Sequence, residues 1–433
     1  MKMSYTRVVG LFLLACSALV SCKKEKGGLP PVTEKHRTVI GYMVADNNLY
    51  SYAVEDINEM ESAWSTTYDG HMVVFLYPVS STSIYVPSDQ REGYDDRPRL
   101  LLIDRDADES RINSRVLKYY DRAIDPCDPT VMSQVLADAM TLAPAENYAL
   151  IYWSHGSGWL PDGTYQPLKS TLPAVGDAAW AGSKLEGMVP ENPQGVTSYS
   201  FGVSNSNGGS EMEIDAMAAA LPTGTVFDFI LFDACHMACV ELAWELKNHT
   251  DYLIASAAET LADGFPYKTM MELMYTPQVD AAAIGRDFYD YYNVQSGAWR
   301  SATVGVVRSD KLPALADAVK ALCDAGLPAE GISYAGQQFG RRSMLFQDTF
   351  YDLADFVHRT WGESDPLVTA FDAALSEAVV YAAATPMLFN DLTVKTHCGL
   401  SCYLPRTTTP LSLEAYRTRF GWSTASGMGA LVP

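Results

Sequence analysis

Short apolar runs, each about as long as a buried strand, alternate along this chain with stretches whose apolar residues recur at helical spacing. The runs at residues 38–45 (TVIGYMVA), 71–79, 100–103, 148–153, 227–232, 252–256 and 302–307 predict strands. Between them, residues 49–64, 211–221, 236–248, 268–275, 281–292, 312–325, 350–360 and 367–383 carry helical spacing. Another helix is predicted over 128–142, where Asp128 can cap the first turn and Pro129 starts it. A short strand at 399–404 completes the series, and Asp46-Asn47-Asn48 reads as the turn closing the first strand. Alternation of this kind predicts an α/β fold. Its expected form is an α/β/α sandwich around a largely parallel central sheet, with a C-terminal α/β extension.

Two regions break the alternation. Residues 160–207 show no period and contain five prolines, Pro161, Pro167, Pro173, Pro190 and Pro193, as a long functional loop does. At the start of the chain, Lys2 and Arg7 precede an apolar stretch over 8–20 that is short for a permanent membrane span. That layout reads as an export signal. Leu19-Val20-Ser21-Cys22 resembles a bacterial lipobox, in which Cys22 is acylated and becomes the new N-terminus.

Composition narrows the function classes. The 433 residues are 48% hydrophobic and 19% charged, which describes a folded protein. With 52 acidic against 31 basic residues, the net charge of −21 argues against nucleic-acid binding, which needs clustered Lys and Arg. Of eight cysteines, Cys16 and Cys22 belong to the leader. The other six, Cys127, Cys235, Cys239, Cys323, Cys398 and Cys402, have no regular spacing and predict no disulfide framework. Cys398 and Cys402 fall on one predicted strand, too far apart to bridge.

Two of the predicted strands stop at reactive side chains. YALIYWSHGSGW (148–159) ends at His155, and FDFILFDACHMAC (227–239) ends at Cys235. In open α/β sheets, sites gather beyond the carboxyl ends of strands. A thiol attacks carbonyls as the thiolate, so a cysteine nucleophile needs a base and an anion-stabilising setting. His155 is the candidate base, and the helix predicted from residue 236 would place its positive end at Cys235. Gly156 and Gly158 let the backbone approach a substrate, so N–H groups at Gly156 and Cys235 are candidates for an oxyanion hole. His236 is a weaker rival base, since neighbours on a helix point in different directions. Cys235, His236 and Cys239 lack the second ligand pair that a zinc site needs, so no metal is assigned.

The same segments closely resemble the clostripain-like cysteine peptidases, of caspase-like fold. The resemblance rests on YALIYWSHGSGW, on FDACHMACVELAWELKNHTDYLIASAAETLADGFPY and on TVIGYMVADNNLYSYAVEDINEME, and runs from about residue 38 to the strand at Gly399. It implies endopeptidase activity, with His155 and Cys235 as the catalytic pair and cleavage after Arg or Lys. Asp233 matches the acidic residue of the family's specificity pocket; its other role is to cap a turn. Glu259 and Asp263 match a segment near the cleft. Relatives mature by cutting themselves between the histidine and the cysteine, which here offers Lys169 and Lys184. No cofactor is required. Calcium dependence, known for some relatives, is unsupported, because Ser204 and Asn205 stand where acids are expected.

The resulting division is a signal peptide over 1–21, a flexible tether over 22–36, a catalytic core over 37–275 and a C-terminal α/β portion over 276–433. The leading expectation is an exported bacterial lipoprotein at the outer membrane or cell surface, held to the membrane by its lipid. Its partners are protein or peptide substrates with Arg or Lys. A non-catalytic surface protein-binding lipoprotein on a peptidase fold, a cysteine peptidase of non-basic specificity and, more distantly, a zinc hydrolase are the alternatives.

Overall fold

The computed structural model describes residues 32–86, 93–160, 201–340, 349–404 and 413–431. From Thr33 onward these form one unit. Its strands in chain order are β1 (Lys35–Val44), β2 (Gly70–Tyr77), β3 (Arg99–Leu102), β4 (Arg115–Tyr119), β5 (Ala145–Trp153), β6 (Phe201–Ser204), β7 (Ser210–Met212), β8 (Ile230–Asp233), β9 (Tyr252–Ala255), β10 (Thr303–Arg308), β11 (Tyr351–Asp352), β12 (Val379–Ala384), β13 (Met387–Leu388), β14 (Leu392–Thr393) and β15 (Ser401–Cys402). Nine of them make a single sheet in the order β12-β10-β9-β8-β5-β1-β2-β3-β4. The five central strands, β2, β1, β5, β8 and β9, are parallel. The two strands beyond each side of them pair antiparallel.

Central strands covered on both faces need apolar residues at successive positions, and β1, β2, β5 and β8 have them. Two neighbours on β5 show how the faces divide. Trp153 donates its indole N–H to Asp56 Oδ2 at 2.7 Å, on helix α1 (Tyr50–Ala63). Tyr152, on the opposite face, reaches Met132 of helix α2 (Pro129–Leu142) and stacks on Phe232 at 4.8 Å. Helices α3 (Ile214–Ala220) and α4 (Val240–Leu246) follow α2 on that second face. The first face is completed by α5 (Tyr267–Met274) and α6 (Ala281–Asn293), whose Met270, Met274, Ile284 and Phe288 share one core with Val39, Met72, Val74 and Ile151. Burying each such side chain contributes roughly 1.5–3 kcal/mol relative to exposure. The fold is the α/β/α arrangement with a mostly parallel sheet that the alternation predicts.

Several local expectations fail. The helix predicted over 367–383 stops at Ala378, and the chain passes directly into β12, which pairs with β10. β4 was not predicted, and the helix predicted over 236–248 begins only at Val240. Cys398 lies outside the strand that contains Cys402, and the six described cysteines are free thiols.

Candidate active site

Parallel pairing brings the two reactive strand ends to one level. Trp153 of β5 stands opposite Asp233 of β8, and each strand carries its reactive residue two positions later, at His155 and Cys235. Ser154 ties the group to β1, its hydroxyl donating to Val44 O at 2.8 Å while its N–H faces Asp233 O at 3.4 Å. Gly156 then lies against the Cys235 peptide. A Cβ there would sit 2.5 Å from Cys235 O and 2.9 Å from Ala234 Cβ, so no larger residue fits.

Cys235 is the one residue between Leu231 and Val240 that is partly exposed rather than buried. It sits in a turn rather than at a helix start. The next residue, His236, has φ +60, the left-handed region, and helix α4 begins five residues beyond Cys235. The expected contribution of a helix dipole to the thiolate is therefore withdrawn. Thr260 takes its place: its N–H donates to Cys235 Sγ at 3.4 Å and its hydroxyl lies 3.6 Å away. His236 is fully buried, stacked on Phe350 at 4.5 Å, with Nδ1 3.3 Å from Ala257 O. Those contacts make it part of the turn's packing.

His155 is 7% exposed, and its Nε2 lies 2.9 Å from Asn48 Oδ1 in the turn after β1. Its carbonyl accepts the Gly202 N–H at 3.0 Å, which fastens β6 beside it. Asp46 fastens the same segment, Oδ2 accepting from the Ser204 hydroxyl and the Ser206 N–H at 2.9 Å each.

Asp233 is 5% exposed on β8. Its Oδ2 accepts from the Phe265 N–H and the Tyr267 hydroxyl, both at 3.0 Å, and no hydrogen bond from the described residues reaches Oδ1. Among the described residues, no Lys or Arg pairs with it. Gly264 presses on the carboxylate so closely that a Cβ would meet Oδ2 at 2.5 Å. Burial pushes its pKa up to about 6, against the two hydrogen bonds that lower it. Negative charge gathers nearby, since Asp233, Asp56 and Glu59 all act on Tyr267, and Asp263 on Tyr292.

The profile of the clostripain family matches residues 41–171 and 190–421, most of the chain. The chain belongs to that family. It is a clostripain-family cysteine protease. An inactive zymogen of a C11 protease from Parabacteroides distasonis is 26% identical, with a TM-score of 0.68 over 91% of this chain and 99% of that one. A secreted C11 cysteine protease from Bacteroides thetaiotaomicron, in complex with an irreversible peptide inhibitor, is 24% identical. Its TM-score is 0.69 over 90% of this chain and 99% of that one. Comparison with curated proteins finds no match.

In this clostripain-family protease the structure gathers His155, Gly156, Asp233 and Cys235 at neighbouring strand ends. Glu259 is buried beside Thr260 in the segment that faces Cys235. Lys169, Lys184 and Cys22 lie outside the described residues. Sequence reasoning missed Asn48 and Thr260, whose only signals were a turn cluster and a place in the family-like segment. Ser204, where the family-like pattern led to an expected acid, donates its hydroxyl to Asp46.

Proposed function

We propose that this protease is an exported, lipid-anchored endopeptidase that hydrolyses peptide bonds after Arg or Lys. The observation that carries the reaction is the convergence of His155 and Cys235 at the ends of adjacent parallel strands. His155 takes the thiol proton, and the Cys235 thiolate attacks the scissile carbonyl. The N–H groups of Gly156 and Cys235 bind the oxyanion. Collapse breaks the C–N bond, the amine leaves with the proton from His155, and a thioester remains. Water, deprotonated by the same imidazole, then releases the acid and restores the thiol.

Asp233 supports the choice of a basic residue. A buried carboxylate with one oxygen unengaged by the described residues, in an acidic neighbourhood, pairs well with an incoming ammonium or guanidinium. The export signal and Cys22 support a lipoprotein of the outer membrane or cell surface. Lys169 and Lys184 are the proposed self-cleavage sites, because they meet the same specificity within the interval between the pair.

The test uses the mature chain against fluorogenic peptides ending in Arg, Lys, Asp or Leu, beside Cys235→Ala. Cleavage after Arg or Lys, absent in the variant, is the expected result. Cleavage only after Leu or Asp would keep the nucleophile and remove Asp233 from specificity. Silence with every peptide would favour a peptide-binding role for the same cleft.

A further inference from the structure

We propose that Asn48 is the positioning residue of His155: its side-chain oxygen holds the Nε2–H, so that Nδ1 is the nitrogen exchanging a proton with Cys235. The inference rests on the His155/Cys235 reading and adds a residue that reading does not use.

The chemistry of the contact decides the tautomer. An amide oxygen only accepts, so at 2.9 Å from Asn48 Oδ1 the histidine Nε2 must carry hydrogen. A neutral imidazole has one donor and one acceptor, which leaves Nδ1 as the acceptor. A base whose ring is unheld can present either nitrogen; one held at Nε2 presents the same nitrogen at each turnover.

Both ends of the contact are fixed. Asn47, 1% exposed, accepts the Leu49 N–H on Oδ1 at 2.9 Å and donates from Nδ2 to Val44 O at 3.2 Å and Val203 O at 3.0 Å. These bonds lock the turn that presents Asn48. On the other side, the Gly202 N–H holds the His155 carbonyl at 3.0 Å. Asp46, the nearest carboxylate in the turn, is directed to Ser204 and Ser206 instead.

The experiment compares Asn48→Ala, Asn48→Leu and Asn48→Asp in the mature enzyme, with Cys235→Ala and His155→Ala as controls. Unfolding midpoints are measured alongside to confirm that each variant keeps its fold. Removing the acceptor in Ala or Leu is expected to lower kcat about 10- to 100-fold with KM nearly unchanged, as a base that loses its orientation does. Asn48→Asp keeps an oxygen and is expected to stay within about fivefold of wild type. Nitrogen-15 NMR of the histidines, with His155 assigned through its variant, should show hydrogen on Nε2 in wild type and a mixed tautomer in Asn48→Ala. Wild-type kcat in both Ala and Leu, a change confined to KM, equal loss in Asp and Ala, or Nδ1–H in wild type would each overturn the role of Asn48. If instead the two controls remain active, the catalytic pair itself is wrong and this inference falls with it.

Discussion

Burial pushes the Asp233 carboxyl up to about 6, while the Phe265 N–H and the Tyr267 hydroxyl pull it down. A carboxylate in that range is charged at neutral pH and loses its charge under mildly acidic conditions. Its attraction for a basic side chain should therefore be near full at neutral pH, about half lost near pH 6 and fade further below it. A ratio of two substrates cancels any effect of acid on steps they share, so it is the informative quantity. The expected outcome is that kcat/KM for an Arg or Lys peptide, divided by that for a Leu peptide, falls as pH drops through about 6. In Asp233→Asn the ratio should be low and flat across the same range. Parallel profiles for wild type and Asn would remove Asp233 from the pocket. Gly156 and Gly264 matter at this scale for a different reason: each is small because backbone or carboxylate occupies the space a Cβ needs.

Among the elements, α4 carries a charge problem of its own. Glu241, in its first turn, is fully buried and accepts the Tyr403 N–H at 2.9 Å. Desolvation raises its pKa from 4.5 to about 7. Between those values the folded chain holds a proton that the unfolded chain has released, so stability falls as pH rises through this window. Below about 4.5 both forms are protonated and that slope disappears. Glu241→Gln keeps the acceptor for Tyr403 and cannot ionise. It is expected to flatten this part of the pH dependence and to be more stable than wild type above pH 7, read from urea midpoints at several pH values. A slope unchanged in the variant would place the titration elsewhere.

The elements also differ in how plainly the sequence announces them. β1, β5 and β8 are legible because burial on both faces demands continuous apolar residues, and their ends mark where His155 and Cys235 stand. The turn from Ala234 to Cys239 is not. A left-handed His236 stacked on Phe350, and bridging of Cys239 to Ser401, depend on residues far along the chain. β12 reads VVYAAA, and its alanines suit a helix until β10 supplies a partner. Asn48 looked like an ordinary turn former, since its distinguishing neighbour lies 107 positions away.

For the whole molecule, the sheet order gives self-cleavage a definite outcome. A cut at Lys169 or Lys184 falls between β5 and β8 in sequence, yet those strands are paired in the sheet. The expected product runs as two bands on a denaturing gel and as one particle on size-exclusion chromatography, with activity retained. Separation of the bands without denaturant would contradict the pairing of β5 with β8.

That seam has a further consequence. On one side lie β5, β1, β2, β3 and β4; on the other lie β8, β9, β10 and β12, each set contiguous in space. β6, from the second set's side of the chain, reaches across to clasp His155 and Asp46. Each half thus owns an unbroken slab of sheet and one member of the reactive pair. The residues proposed as base and nucleophile thus stand on either side of one seam in a sheet that otherwise belongs to a single unit. Two separately encoded polypeptides, meeting along β5 and β8, could carry the same activity with no covalent link between base and nucleophile.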